Sequence, residues 1–320
     1  MRAIQLQAEE SSPLRRGGNR LTDRIAEEIG RLKREKDALV LAHSYQPGAV
    51  QDIADHVGDS LELSRIAERE ASELVVFCGV RFMAETAKLL SPSSRVILAA
   101  PESSCSLAAS MNAEELREVK RKHPGVPAVV YVNSTVEVKA EAWSCCTSAN
   151  AVQVSMAAPG NELIFGPDRN LGTWVEKQTG KQVHLWQGGC HAHSGADIRD
   201  LRTKKTQWPD AEVMVHPECP PVFWKEADYI LGTGGMIRQV EKSKACRFII
   251  GTEEGMVYRL ETLFPDREFT SAGGIVCKDM SFTTPEKVLM ALENPGEGIT
   301  IPADLAAKAA VSVKRMTEFG

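Results

Sequence analysis

Short apolar runs recur along the chain, and most are followed by a stretch whose apolar positions return every three or four residues. Residues 38–42, 74–78, 95–99, 128–132, 163–165, 183–186, 212–215, 229–231 and 247–250 are rich in aliphatic and β-branched side chains and predict strands. Between them, residues 61–71, 113–122 and 254–263 show helical spacing. Strand and helix in alternation predict an α/β protein whose parallel sheets are covered by helices on both faces. Turn-forming clusters such as His123-Pro124-Gly125-Val126-Pro127 punctuate the pattern and mark edges of units.

The polar positions repeat on a longer period. Cys105, Cys190 and Cys277 are 85 and 87 positions apart. Upstream of each, a predicted strand closes on a polar group: His43 with Tyr45, Tyr131 with Asn133, and His216 with Glu218. Seventeen residues after each closing group stands a hydroxyl, Ser60, Ser148 or Thr233, and the cysteines follow 45, 42 and 44 residues later. Three landmarks returning three times predict a triplicated architecture. The units span residues 1–107, 108–192 and 193–280, and residues 281–320 form helices that pack back on the first unit.

Ligands of open parallel sheets gather outside the carboxyl ends of the strands, where His43, Tyr131 and His216 fall. The hydroxyls are read as opening helices, whose free N–H groups suit phosphate or carboxylate, although plain N-capping explains any one of them alone. Together they predict a pocket for a small acidic or phosphorylated ligand.

Eight cysteines in a chain of 320 residues favour metal ligation or catalysis over disulfides. Only Cys105, Cys190 and Cys277 occupy equivalent places. Cys78 lies in an apolar run and reads as core, Cys145 and Cys246 have no repeat partner, and Cys146 and Cys219 fall beside the expected pocket. Three thiolates suit a [4Fe–4S] cluster with one open iron. A zinc site with His193 as a fourth ligand stays open on spacing alone. His191 reads as local composition, and His56, His123 and His184 are assigned no role.

Composition narrows the partners. A formal charge of −5 without a basic stripe argues against nucleic acid. No apolar run reaches the roughly 18 residues of a membrane span. Residues 1–20 read as a loosely ordered extension. Arg15-Arg16 is followed by no apolar segment of an export signal, so a cytoplasmic protein is expected.

Several long polar segments resemble the quinolinate synthases. They include Leu41-Ala42-His43-Ser44-Tyr45-Gln46, Gly58-Asp59-Ser60-Leu61 and Tyr131-Val132-Asn133-Ser134-Thr135. Cys146-Thr147-Ser148-Ala149-Asn150, Phe165-Gly166-Pro167-Asp168-Arg169-Asn170, His216-Pro217-Glu218-Cys219-Pro220 and Gly251-Thr252-Glu253 continue the match. The resemblance implies three similar α/β/α sandwich domains with short parallel sheets, arranged with pseudo-threefold symmetry around a central [4Fe–4S] cluster, one per chain. It implies Cys105, Cys190 and Cys277 as cluster ligands. Ser44 stands where Asn is common in the family, the surroundings of Cys190 are a variant, and a further Cys-rich motif of some members is missing.

The implied reaction joins iminoaspartate to dihydroxyacetone phosphate, giving quinolinate, phosphate and water in de novo NAD biosynthesis, with L-aspartate oxidase as the candidate source of iminoaspartate. The open iron acts as a Lewis acid. Glu218 is the expected base, with His43, Tyr45, Tyr131, His193 and His216 as donors or relays. Ser60, Ser148 and Thr233 hold anions, and Asn133 orients a carboxylate or the ring nitrogen. Other three-cysteine cluster enzymes, such as isoprenoid-pathway diphosphate reductases and diphthamide-forming enzymes, share the plan, and a non-catalytic redox sensor is the rival of another class.

Overall fold

The computed structural model of the chain describes residues 20–319, so the expected extension lies outside the described residues apart from Arg20. In the first block, α1 (Arg20–Glu35), β1 (Ala38–His43), α2 (Gly48–Gln51), β2 (His56–Gly58), α3 (Ser60–Glu70), β3 (Leu74–Cys78), α4 (Arg81–Leu90), β4 (Arg95–Leu98) and α5 (Ser106–Ala109) follow one another. The second holds α6 (Ala113–Lys122), β5 (Ala128–Tyr131), α7 (Val136–Glu141), β6 (Ser144–Cys146), α8 (Ala151–Ala157), β7 (Glu162–Gly166), α9 (Arg169–Thr179), β8 (Gln182–Leu185) and α10 (His191–Ser194). The third holds α11 (Ile198–Gln207), β9 (Glu212–Val215), α12 (Pro221–Trp224), β10 (Tyr229–Ile230), α13 (Thr233–Lys242), β11 (Arg247–Gly251), α14 (Gly255–Leu263) and β12 (Glu268–Ser271). Two helices close the chain, α15 (Pro285–Glu293) and α16 (Ala303–Thr317).

Each block builds one four-stranded parallel sheet, in the orders β2-β1-β3-β4, β6-β5-β7-β8 and β10-β9-β11-β12. The α/β class with three similar sandwiches, inferred from the sequence, is therefore what the chain adopts. In all three, the chain leaves the first strand to one side and then crosses back to the other. That reversal opens a crevice at the carboxyl end of the first strand, the place where such sheets take ligands.

The central strands are apolar on both faces because helices cover both. Every residue of β3, Leu74 to Cys78, is buried. The helices are begun by polar caps: Asp59 accepts from the amides of Leu61 and Glu62, Asp168 from that of Leu171, and Asn112 forms a capping box with Glu115. The strands β2, β6 and β12 are absent from the sequence reading. The first two are three-residue edge strands, paired on one side only, which need little apolar pattern.

One core cluster runs without a break from the first sheet into the second, joining Leu41, Phe77, Val129 and Phe165 with Val313 and Met316 of α16. α15 lies on α1 and β3, whereas α16 lies against α7, β6 and α4. Lys139 of α7 is wholly buried in this seam, its Nζ donating to Thr86 Oγ1 at 2.8 Å and to the Phe82 carbonyl at 3.2 Å. Exposed ion pairs such as Arg117–Glu114 contribute little, because solvent screens them. A buried Leu41 or Phe77 adds about 1.5–3 kcal/mol, so apolar packing holds the units together.

Candidate functional site

The three crevices open into one pocket. It is lined by His43, Tyr45 and Ser60 from the first block, Tyr131, Asn133 and Ser148 from the second, and His216, Glu218 and Thr233 from the third. Cys105, Cys190, Cys277 and His193 line it as well, so the structure brings every site residue expected from the sequence into one cavity.

The strand ends set the tautomers of two histidines. The amide of Tyr45 donates to His43 Nδ1 at 3.1 Å, and the amide of Glu218 donates to His216 Nδ1 at 3.2 Å. An Nδ1 that accepts leaves the ring proton on Nε2. Burial pushes His43 down to about 4, partly opposed by the Asp59 and Glu218 carboxylates. Burial likewise pushes His216 down to about 3, opposed by Glu218 and reinforced by His193 and His43. At neutral pH both rings are therefore uncharged N–H donors.

Glu218 is the centre of a buried network. Burial alone would raise its carboxyl. His193, His216 and hydrogen bonds from His193 and Tyr131 outweigh that and hold it below the usual carboxylate range. His193 Nδ1 lies 2.8 Å from Glu218 Oε2, and its ring stacks on His216 with centroids 4.9 Å apart. On the far side of His193, Nε2 lies 2.8 Å from Thr252 Oγ1, which in turn lies 2.6 Å from the Tyr45 hydroxyl. Burial raises Tyr45 and Tyr131 well above the ordinary phenol value, so both stay protonated. A chain of close polar contacts thus runs from Glu218 through His193 and Thr252 to Tyr45, with Tyr131 lining the same pocket. The Glu218 backbone carbonyl is fixed by Asn170 Nδ2 at 2.8 Å.

Two carboxylates stand behind the cysteines. Asp168 accepts from the amide of Cys190 at 3.1 Å, and Glu253 accepts from the amide of Cys277 at 3.4 Å. Burial raises both to about 7, Asp168 with help from the Glu218 charge. Neither these acids nor Thr252 received a role from the sequence. A carboxylate 22 or 24 positions before a cysteine was the available signal.

The hydroxyl landmarks converge with one difference from expectation. Ser60 and Thr233 are the first residues of α3 and α13, but α8 begins at Ala151 with Asn150 before it, so Ser148 sits in the preceding turn. There it meets α13: a Cβ placed on Gly232 would come within 2.8 Å of Ser148 Oγ, and one on Gly234 within 2.7 Å of Asp59 Oδ2. Only glycine admits so close an approach. Because Asp59 already takes the amides of Leu61 and Glu62, α3 has fewer donors left than α13, whose cap Gly232 brings no side-chain acceptor. No Lys or Arg is among the described residues that line the pocket.

All eight cysteines are free thiols. Cys78, Cys145, Cys146 and Cys219 are buried and Cys246 is exposed, and none of the five lines the pocket. His191, set aside in the sequence, does line it and has a ligand atom within 4.8 Å of those of Cys277 and Asp279. Cys190, His193 and Glu218 form a second group of that kind.

The thiols of Cys105 and Cys277 are raised to about 12 and 11, and that of Cys190 well above its ordinary value, by burial first and by neighbouring acids and thiols after it. Thiolates form in such a place only against a compensating cation. Three soft sulfur donors supplied by three separate blocks fit an iron–sulfur cluster that keeps one iron free of protein ligands.

Comparison with known proteins agrees with this geometry. The family model described as quinolinate synthetase A protein matches residues 27–318. The quinolinate synthase of Dehalococcoides mccartyi strain CBDB1 is 44% identical over 293 residues, covering 91% of this chain and 97% of that protein. That of Geobacter metallireducens is 45% identical over 295 residues, covering 92% and 97%. The Mycobacterium tuberculosis quinolinate synthase is 42% identical over 324 residues, covering 97% and 93%.

Proposed function

The chain belongs to the quinolinate synthetase A family, and from that premise we propose that it condenses iminoaspartate with dihydroxyacetone phosphate in the cytoplasm, releasing quinolinate, phosphate and two waters. One observation carries this reading: the buried Glu218–His193 pair and Tyr131 share a pocket with three thiols, one from each block.

Cys105, Cys190 and Cys277 would hold a [4Fe–4S] cluster, which supplies a Lewis-acidic iron for polarising a substrate oxygen. The protein's own groups do the rest. The neutral rings of His43 and His216 donate Nε2–H to substrate carboxylates without adding charge. Thr233 and the first amides of α13 hold the phosphate, with the hydroxyls of Ser60 and Ser148 beside them. Asn133 orients a carboxylate or the nascent ring nitrogen. Ionised Glu218 takes protons from carbon, and Tyr131 and His193 return them during tautomerisation and dehydration. Thr252 links that relay to Tyr45. Iminoaspartate is unstable, so its supply fits an amino-acid oxidase such as L-aspartate oxidase working nearby.

A single zinc-class ion is the second reading, favoured by the group of Cys190, His193 and Glu218. Iron, acid-labile sulfide and zinc contents of protein purified without oxygen separate the two. About four irons and four sulfides per chain, lost in Cys190→Ala, with quinolinate formed in an anaerobic assay, is the expected result. Zinc in place of iron, or full iron in the variant, overturns it.

A further inference from the structure

In the second sheet, among residues that do not line the pocket, two histidines and a glutamate come together. His123 is the C-cap of α6, Glu162 opens β7, and His184 is the third residue of β8. The parallel register sets Glu162 beside Gln182 and Ile164 beside His184. Side chains two apart share a face, so Glu162 and His184 project on the side where Ile164 packs in one cluster with Leu116 of α6. The end of α6 crosses that face and lays His123 over His184, ring centroids 3.7 Å apart and planes 32° apart. His184 Nε2 is 2.9 Å from Glu162 Oε2, and one ligand atom from each of the three residues lies within 4.8 Å of the others.

Two imidazoles this close repel if both are protonated. As neutral rings, each offers a nitrogen lone pair beside a carboxylate oxygen. Two nitrogens and one oxygen are a donor set that zinc and its neighbours accept, at about 2.0–2.2 Å per bond. The carbonyl end of α6 adds partial negative charge. Lys120 pairs with Glu141 and Arg121 with Glu114, so neither is drawn to Glu162. His184 is 20% and Glu162 47% exposed at the side chain, so an ion reaches them directly from solvent.

We propose that His123, Glu162 and His184 form a site for a divalent transition-metal ion of the zinc class, separate from the pocket, that ties the end of α6 to β7 and β8. The site stands whether or not the reading of the pocket does.

Cobalt(II) titrated into the anaerobically purified holoprotein tests it. One equivalent should give visible d–d bands without the thiolate charge-transfer absorption that cysteine ligands produce, and zinc should displace it. His184→Ala should lose this spectrum and weaken binding by more than the roughly 100-fold that follows loss of an outer-shell partner, with iron content unchanged. His123→Ala, altered at a helix cap outside the sheet, should lose the same spectrum if His184→Ala does not fold. Cobalt uptake that is absent in the wild type, unchanged in the variants, or marked only by thiolate absorption overturns the proposal and leaves an ordinary Glu162–His184 pair.

Discussion

Nδ1 of His193 lies 2.8 Å from the carboxylate of Glu218, and the two side chains are 2% and 4% exposed. Away from water, the ring holds the acid ionised, and the same Nδ1 also lies 3.3 Å from Cys190 Sγ. Glu218→Gln keeps the shape and removes the charge. Turnover should fall by about 10²–10⁴-fold, with iron content and melting temperature near wild type. Near-normal quinolinate production would take Glu218 out of the proton traffic.

Thr252 has one hydroxyl serving both Tyr45 and His193. Thr252→Val removes that oxygen at constant volume and leaves the Tyr45 hydroxyl and His193 Nε2 without this partner, at a cost of about 1–3 kcal/mol. The turnover number should drop while KM changes little, and Thr252→Ser should restore it. If valine and serine behave alike, the hydroxyl has no part in the relay.

The neutral state of His43 leaves a mark on stability. Its ring titrates near 4 in the folded chain, against 6.5 for the ordinary side chain. Between those values the unfolded chain binds more protons than the folded one, so stability rises with pH across the window. The contribution is complete above about 6.5 and is lost as pH falls through about 4, on the order of 3 kcal/mol in all. His216 acts in the same sense. Denaturant unfolding at neutral and mildly acid pH should show a shallower pH slope for His43→Gln than for the wild type; equal slopes would mean that burial does not shift the ring.

Two helical glycines should respond oppositely to alanine. A Cβ on Gly30 of α1 meets nothing nearer than Arg34 Nη1 at 3.6 Å, an ordinary contact. Gly30→Ala should therefore raise stability by about 1 kcal/mol through helix propensity. A Cβ on Gly234 of α13 would come 2.7 Å from Asp59 Oδ2 and 3.3 Å from Arg238 Nη1. Gly234→Ala should bring no such gain and should raise KM for the phosphorylated substrate. Calorimetry and steady-state kinetics on both variants decide it, and equal stabilisation would show that the seam between the blocks yields.

Much of this was legible because the chain says it three times. The positions of Cys105, Cys190 and Cys277, and of His43, Tyr131 and His216, are set by strand ends, and strand ends recur with the sheet. The edge strands His56–Gly58 and Ser144–Cys146 were not legible, since three residues paired on one side carry no alternation. Missing the second of these led to Ser148 being read as a helix opener, whereas it lies in the turn beyond β6. Thr252, Asp168 and Glu253 were written plainly enough, but their importance arises from what faces them across the pocket, and that is fixed only in three dimensions. His123 and His184 are the same case: 61 positions apart in sequence, they meet because α6 crosses the sheet.

The pocket is assembled from three sheets that follow one another along the chain, and this gives its formation a direction in time. During synthesis the nascent polypeptide displays first one thiol, then two, while the acid at its centre and the last sulfur belong to the final third. No product that ends before Cys277 can hold a group that needs all three. Whatever delivers such a group must wait for that third sulfur, and a chain stalled or clipped before it arrives empty-handed.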